Sequence, residues 1–183
     1  LVSVIDSGID YMHPDFQNED GSTRILALWD QAIAPDPSKN FLPPHGYALG
    51  TLFTQEQINA AIDAPTLQER TSLCPSFDTS GHGTHVTGIA AGNGRVQIVN
   101  RGVAYEASLL VIKLGAPGPM GFPSTTQLMQ AVDFSVRFAT EHQLPLSINL
   151  SFGNTYGSHS GTSLLETYLN SVSEIGRASC RER

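Results

Sequence analysis

Cysteine is almost missing from this 183-residue chain, which has two, Cys74 and Cys180. Cys180 lies in a terminal segment that is set aside below. The remaining Cys74 has no motif around it, so it marks neither a disulfide framework nor a nucleophile. Long apolar runs are also lacking. No stretch approaches the ~20 residues that a membrane-spanning helix needs, so no membrane span is expected. Basic residues are few, 10 against 17 acidic ones, giving a net charge of −7. Residues 175–183 hold three arginines and one glutamate, so the rest of the chain carries −9. That balance disfavours nucleic acid as a partner and suits plain solubility. There is no internal repeat and no low-complexity tract. What remains is an ordinary globular composition, 40% hydrophobic and 15% charged, long enough for one domain with a real core.

The last residues do not belong with the others. Ile175-Gly176-Arg177-Ala178-Ser179-Cys180-Arg181-Glu182-Arg183 brings a sudden cluster of arginines. It can be encoded as ATC GGA AGA GCG TCG TGT AGG GAA AGA, which resembles a short-read sequencing adapter whose leading AG closes the codon of Glu174. We therefore expect 174–183 to be adapter sequence and 1–173 to be the native part, and foreign segments are excluded from fold reasoning. The chain opens directly on strand-like Leu1–Ile5, so the N-terminus is also expected to be truncated.

Strands are expected at Leu1–Ile5, Ile25–Trp29, Ser108–Leu114 and Leu146–Phe152. The first, third and fourth are nearly continuous apolar runs, as in strands buried on both faces of a parallel sheet. Thr84–Ala91 reads as a buried helix. Ser124–His142 carries Leu128, Val132, Val136 and Ala139 at helical spacing, with Pro123 before it and Pro145 beyond it. The alternation predicts an α/β fold, a three-layer sandwich around a mostly parallel sheet. Residues 16–77 break the rhythm with the turn-rich stretches Asn18–Ser22 and Pro35–Gly46, and read as a long insertion on one face of the sheet. Within them Thr54–Asp63 is a helix, with a capping box at Thr54 and Gln57 and a stripe of Ile58, Ala61 and Ile62.

Two motifs carry chemistry. Val4-Ile5-Asp6-Ser7-Gly8 ends an apolar strand in a carboxylate, at the sheet edge where α/β sites assemble. Taken alone, Asp6 could simply cap a turn. Gly81-His82-Gly83-Thr84-His85-Val86 opens a helix with a histidine that little bulk crowds. A buried carboxylate can fix the tautomer of such an imidazole and stabilise its protonated form, and the imidazole can then act as general base and acid. His85 lies one turn on, but neither a carboxylate at helical spacing nor a cysteine cluster accompanies the pair. A metal hydrolase built on His82, His85 and Asp6 is the weaker reading, and His85 is expected to pack inside the helix.

Together these motifs resemble the subtilisin-like serine peptidases, the subtilase superfamily, in which aspartate precedes histidine in the chain. Gly102-Val103-Ala104, the strand Leu109–Lys113 and Ile148–Gly153 extend the resemblance over the native stretch. Asn18-Glu19-Asp20-Gly21, Arg24-Ile25 and Trp29-Asp30-Gln31 look like the clostridial germination-protease-type branch. The resemblance implies a subtilisin-like fold, here incomplete, and an endopeptidase working through an acyl-enzyme, secreted or spore-associated, with protein or peptide substrates. It also implies a pro-segment as partner. It assigns Asp6 and His82 to the triad, and Ser151, Phe152 and Gly153 to the wall of the substrate cleft. The alternative is an ordinary strand exit at Ser151.

Gly161-Thr162-Ser163 imitates the family's nucleophile context. It follows Gly153 too closely, however, and Ser163 with Glu166 matches a capping box. The nucleophile and the oxyanion-hole asparagine are therefore expected beyond Ser173, and these residues alone to be inactive. The competing reading is a pseudoprotease acting as a protein-binding scaffold. No cofactor is expected. Asp15 matches a position that binds calcium in some relatives, but its partner loop Gly92–Gly102, with Asn93 and Asn100, departs from the usual pattern and yields no ligand set.

Overall fold

A computed structural model describes residues 1–115, 124–151, 160–174 and 178–179. Among these, six strands form one sheet in the order β3-β2-β4-β1-β5-β6. They are β1 (Val2–Asp6), β2 (Ile25–Asp30), β3 (Thr51–Thr54), β4 (Leu109–Lys113), β5 (Ser147–Leu150) and the two-residue β6 (Ala178–Ser179). Every pairing is parallel except β2 with β3. The helices are α1 (Gln55–Asp63), α2 (Leu67–Leu73), α3 (His82–Ala91), α4 (Thr125–Glu141) and α5 (Leu164–Glu174). No helix among the described residues is long and apolar enough to cross a membrane.

All five residues of β1 are buried, as its unbroken apolar run requires. Their side chains divide between two cores. On one face Val2 and Val4 join Ile25, Leu28, Leu109 and Val111 beneath Ile58 and Ala61 of α1 and Ala91 of α3. On the other, Ile5, Ala27, Trp29, Leu110 and Ile112 meet Leu128, Val132, Phe134 and Phe138 of α4 and Val172 of α5. Helices thus cover both faces, the three-layer arrangement expected. The strict alternation of a strand would send Ile25 and Leu28 to opposite faces. A register irregularity between Ile25 and Ala27 resets the count and lets both enter the first core.

Two helices start as the sequence predicts. The Thr54 side chain accepts the Gln57 N–H while the Gln57 side chain accepts the Thr54 N–H. Ser163 and Glu166 make the same reciprocal bonds at α5, at 3.3 and 2.9 Å. The connection between the two chemical motifs differs from its reading as an insertion on one face. It enters the sheet: β2 pairs with β4, and β3 continues the sheet beyond β2. Helix α2, not foreseen, follows with its own capping box at Thr66 and Glu69.

Candidate active site

Parallel strands bring their carboxyl ends to one edge, and that edge gathers the polar residues. Asp6 of β1 lies in register with Lys113 of β4, and Lys113 with Asp30 of β2. Ser151 sits one residue past the Leu150–Ile5 pair, just as Asp6 does. It is half-buried, and its hydroxyl accepts the Asn149 amide N–H at 2.8 Å. Phe152 and Gly153, also expected at the cleft wall, lie outside the described residues.

Asp6 is 4% exposed, and its Oδ1 is 2.7 Å from Nδ1 of His82, the first residue of α3. The same oxygen accepts the Ser7 N–H at 2.7 Å, and Oδ2 is buried with no partner among the described residues. A carboxylate this close assigns the ring proton to Nδ1, leaving the Nε2 lone pair free. The imidazole is itself 57% exposed. One end of the pair is therefore fixed in the fold and the other open to a reacting group.

Such close approach of β1 and α3 demands a residue without a side chain. A Cβ on Gly83 would stand 2.2 Å from the Gly8 carbonyl oxygen and 3.1 Å from Asp6 Cβ. Gly81, which precedes His82, has φ +75°, a left-handed turn that glycine enters freely. The glycines flanking His82 thus serve separate needs, one the turn and the other the contact.

Hydrogen bonding to Asp6, and then its charge, raise the His82 pKa above the usual histidine value, against a smaller opposing effect of desolvation. The stability this pair contributes is present when the ring is charged, and it fades as pH rises through the raised pKa. An NMR titration is expected to place the His82 midpoint above 6.5, and Asp6→Asn to lower it. A midpoint that Asp6→Asn leaves in place would show that the carboxylate does not govern the ring.

Two readings of α3 differ from the structure. His85 does not pack inside α3; it is exposed and borders an open groove with His13, Ile89 and Val103. The buried stripe of α3 is Gly83, Thr87 and Ala91, so a residue two beyond Gly83 faces outward. For the same reason the helix is not apolar-buried all round, and Ile89 is 61% exposed. Cys74 is fully buried, and burial pushes its thiol up to about 12, far from a reactive thiolate. The Ser163 hydroxyl is engaged as a helix cap, accepting the Glu166 N–H.

The surroundings of Asp15 do not fit calcium. Its Oδ1 accepts the Val96 N–H, its carbonyl accepts from Arg24 and Asn93, and the Arg95 guanidinium donates to the Asn18 carbonyl. Calcium needs six to eight oxygens turned toward it. Here those oxygens face N–H donors, two of them from guanidinium groups.

Two features escaped the sequence reading. Lys113 lies 3.2 Å from the fully buried Asp30, which also accepts the Ser76 hydroxyl at 2.7 Å. Lys113 also donates to the Phe77 carbonyl at 2.9 Å, next to Asp78. Asp78 itself takes bonds from Ser7, Ser80, Gly81 and Thr84. Its only local signal is an acid shortly before a helix start; its partner Ser7 is 71 residues away.

Comparison with known proteins bears on the family and the fold. The chain is 28% identical over 154 residues to minor extracellular protease Vpr of Bacillus subtilis, covering 84% of this chain and 14% of that protein. It is 31% identical over 113 residues to subtilisin-like protease SBT2.4 of Arabidopsis thaliana, covering 57% of this chain and 13% of that one. It thus spans about one seventh of the length of these relatives. The CspB protease structure from Clostridium perfringens superposes with a TM-score of 0.77 at 34% identity, over 93% of this chain and 32% of that one. A psychrophilic protease, S41, shares the fold at a TM-score of 0.60 and 21% identity, over 97% and 43% of the two chains. The profile of the subtilase family, Peptidase S8, matches residues 1–179, and the chain belongs to that family.

Proposed function

We propose that the protein is a serine endopeptidase in which Asp6 and His82 are two members of the triad, and that the nucleophilic serine and the oxyanion donor lie outside residues 1–183. The observation that carries this reading is the 2.7 Å contact between a buried carboxylate and an exposed imidazole at the carboxyl edge of the sheet. Family membership supports the reaction class.

The chemistry follows from the free Nε2. It takes the proton of the serine hydroxyl as the oxygen attacks the scissile carbonyl, and Asp6 stabilises the imidazolium that forms. The imidazolium then gives that proton to the leaving amine nitrogen, and the acyl-enzyme is left. A water molecule, deprotonated by the same Nε2, releases the acyl group and restores the serine. Ser151 follows β5 at this edge, and we assign Ser151-Phe152-Gly153 to the binding of extended peptide substrate by strand addition.

The test compares two proteins on a fluorogenic peptide. The full-length gene product is expected to hydrolyse it, and residues 1–183 alone are not. Hydrolysis by residues 1–183, abolished by His82→Ala, would place a nucleophile among them. A full-length protein that folds and binds peptides but does not cleave them would establish the scaffold reading.

A further inference from the structure

The first turn of an α-helix has N–H groups without intrahelical partners. At α3 the N-cap residue is Gly81, which has no side chain to satisfy them. The structure supplies them from elsewhere. The Gly81 N–H donates to Asp78 Oδ1 at 3.0 Å, and the Thr84 N–H to Asp78 Oδ2 at 2.8 Å. The His82 N–H donates to the Ser80 hydroxyl at 3.1 Å, and the Gly83 N–H to the Ser7 hydroxyl at 2.9 Å. Both hydroxyls point back to the same carboxylate, Ser7 at 2.8 Å and Ser80 at 3.1 Å. The Thr84 hydroxyl donates to Oδ2 at 2.7 Å and accepts the Asp10 N–H at 2.8 Å.

Three of these bonds, Ser7 to Asp78, Gly83 to Ser7 and Asp10 to Thr84, cross the gap between two loops, and the others lie within residues 78–84. Ser7 and Asp10 follow β1, where Asp6 sits, while Gly81–Thr84 carry His82. Asp78 joins the two loops through Ser7 on one side and through Gly81 and Thr84 on the other. Burial works to raise the Asp78 carboxyl, but hydrogen bonds from Thr84, Ser7 and Gly81 outweigh it and hold the group down at about 2. It is therefore a carboxylate at neutral pH, with its charge at the positive end of α3.

We propose that Asp78 is a positioning residue for the reaction: it fixes the placement of the first turn of α3 against the loop after β1, and so sets His82 at hydrogen-bonding distance from Asp6. The inference rests on the reading of Asp6 and His82 as triad members. Asp78 does not touch the reacting atoms. A misplacement of about 1 Å at a catalytic group costs about 10^2-fold in rate, so loss of the tie is expected to lower kcat on that scale while leaving KM nearly unchanged. Asp78 also places a second negative charge near the imidazole and favours its protonated form. Its removal should therefore move the acidic limb of the kcat/KM profile to lower pH, which a merely structural cap would not do.

The experiment measures kcat, KM and the pH profile of the full-length protein with a fluorogenic peptide, for wild type, Asp78→Asn, Thr84→Val, Thr84→Ser and Asp6→Asn. Asp78→Asn keeps the shape but turns an N–H toward donors. Thr84→Val removes one hydroxyl donor to Asp78, and Thr84→Ser retains it. The expected result is a fall of about 10^2-fold in kcat for Asp78→Asn with the limb shifted to lower pH, a smaller fall for Thr84→Val, and recovery with Thr84→Ser. Should Asp78→Asn fail to fold, the two Thr84 variants decide alone: equal kcat in both overturns the proposal. An unchanged kcat and limb in folded Asp78→Asn does the same. Asp6→Asn separates the two ideas. If it collapses kcat while Asp78→Asn does not, only the positioning role is lost. If Asp6→Asn is also harmless, the triad reading itself falls.

Discussion

Replacing His82 by alanine in the full-length protein is expected to lower kcat for peptide hydrolysis about 10^6-fold, because a triad acts as a unit and loses nearly all its effect with its base. Asp6→Asn is expected to cost about 10^4-fold, with the fold unchanged. The two numbers differ for a reason visible in the geometry. In the proposed triad His82 supplies the Nε2 that moves the proton, and Asp6 supplies only the tautomer and the stabilisation of the cation. With asparagine at position 6 the amide can donate to Nδ1, which favours the tautomer with its proton on Nε2, and the base is then present but wrongly protonated. A residual rate should survive both changes, since substrate binding and the oxyanion donors remain. Steady-state kinetics on the two variants, with circular dichroism to verify folding, checks both values. A loss of less than about 10^2-fold with His82→Ala would remove the histidine from the chemistry, because general acid–base groups contribute at least about that much.

The second large effect is expected away from the reacting atoms. Lys113→Met should destabilise the fold by about 3–5 kcal/mol, since it leaves a buried charge without its counter-ion. Asp30 has no exposed surface. Its Oδ2 faces Lys113 Nζ at 3.2 Å and the Ser76 hydroxyl at 2.7 Å, and its Oδ1 accepts the Ala32 N–H at 2.9 Å. Methionine preserves the apolar stem of Lys113 and removes only the ammonium and its bond to the Phe77 carbonyl. The double variant Lys113→Met/Asp30→Asn should recover part of the loss, because a neutral amide costs less to bury than an unpaired carboxylate. Urea unfolding of the three proteins checks the order. A single variant as stable as wild type would mean that Asp30 draws little from Lys113.

Comparing these residues shows what the sequence could reveal. Asp6 and His82 stand in short motifs whose neighbours (the apolar strand before one, the glycines around the other) make sense locally, so both were legible. The capping boxes of α1 and α5 were legible on the same ground. Helix α2 has a Thr66–Glu69 box too, but it buries no residue, and its leucines Leu67 and Leu73 are 64% and 38% exposed. No apolar stripe announces it. Strand β3 is four residues long, with only Thr51 and Phe53 buried, too short an alternation to stand out from the surrounding turns. Lys113 is a single charge at the end of an apolar run, and its partner lies 83 positions earlier. Asp78 depends on partners from a distant loop. Pairings of that kind are products of the fold, and no local pattern encodes them.

The buried Arg24 carries one more consequence. Its guanidinium is 7% exposed and donates to the carbonyls of Asp15, Ala91 and Ala107 at 3.0, 2.8 and 2.6 Å. Ala91 is the last residue of α3, so a positive charge meets the negative pole of the helix that Asp78 holds at its positive pole. Mechanically, α3 is a short beam clamped at both supports, each anchored in a different segment of chain. A beam held that way can neither roll about its axis nor slide along it without breaking bonds at one end. Arg24 thus holds the end of α3 that lies opposite His82, about 15 Å away along ten residues of helix at about 1.5 Å each.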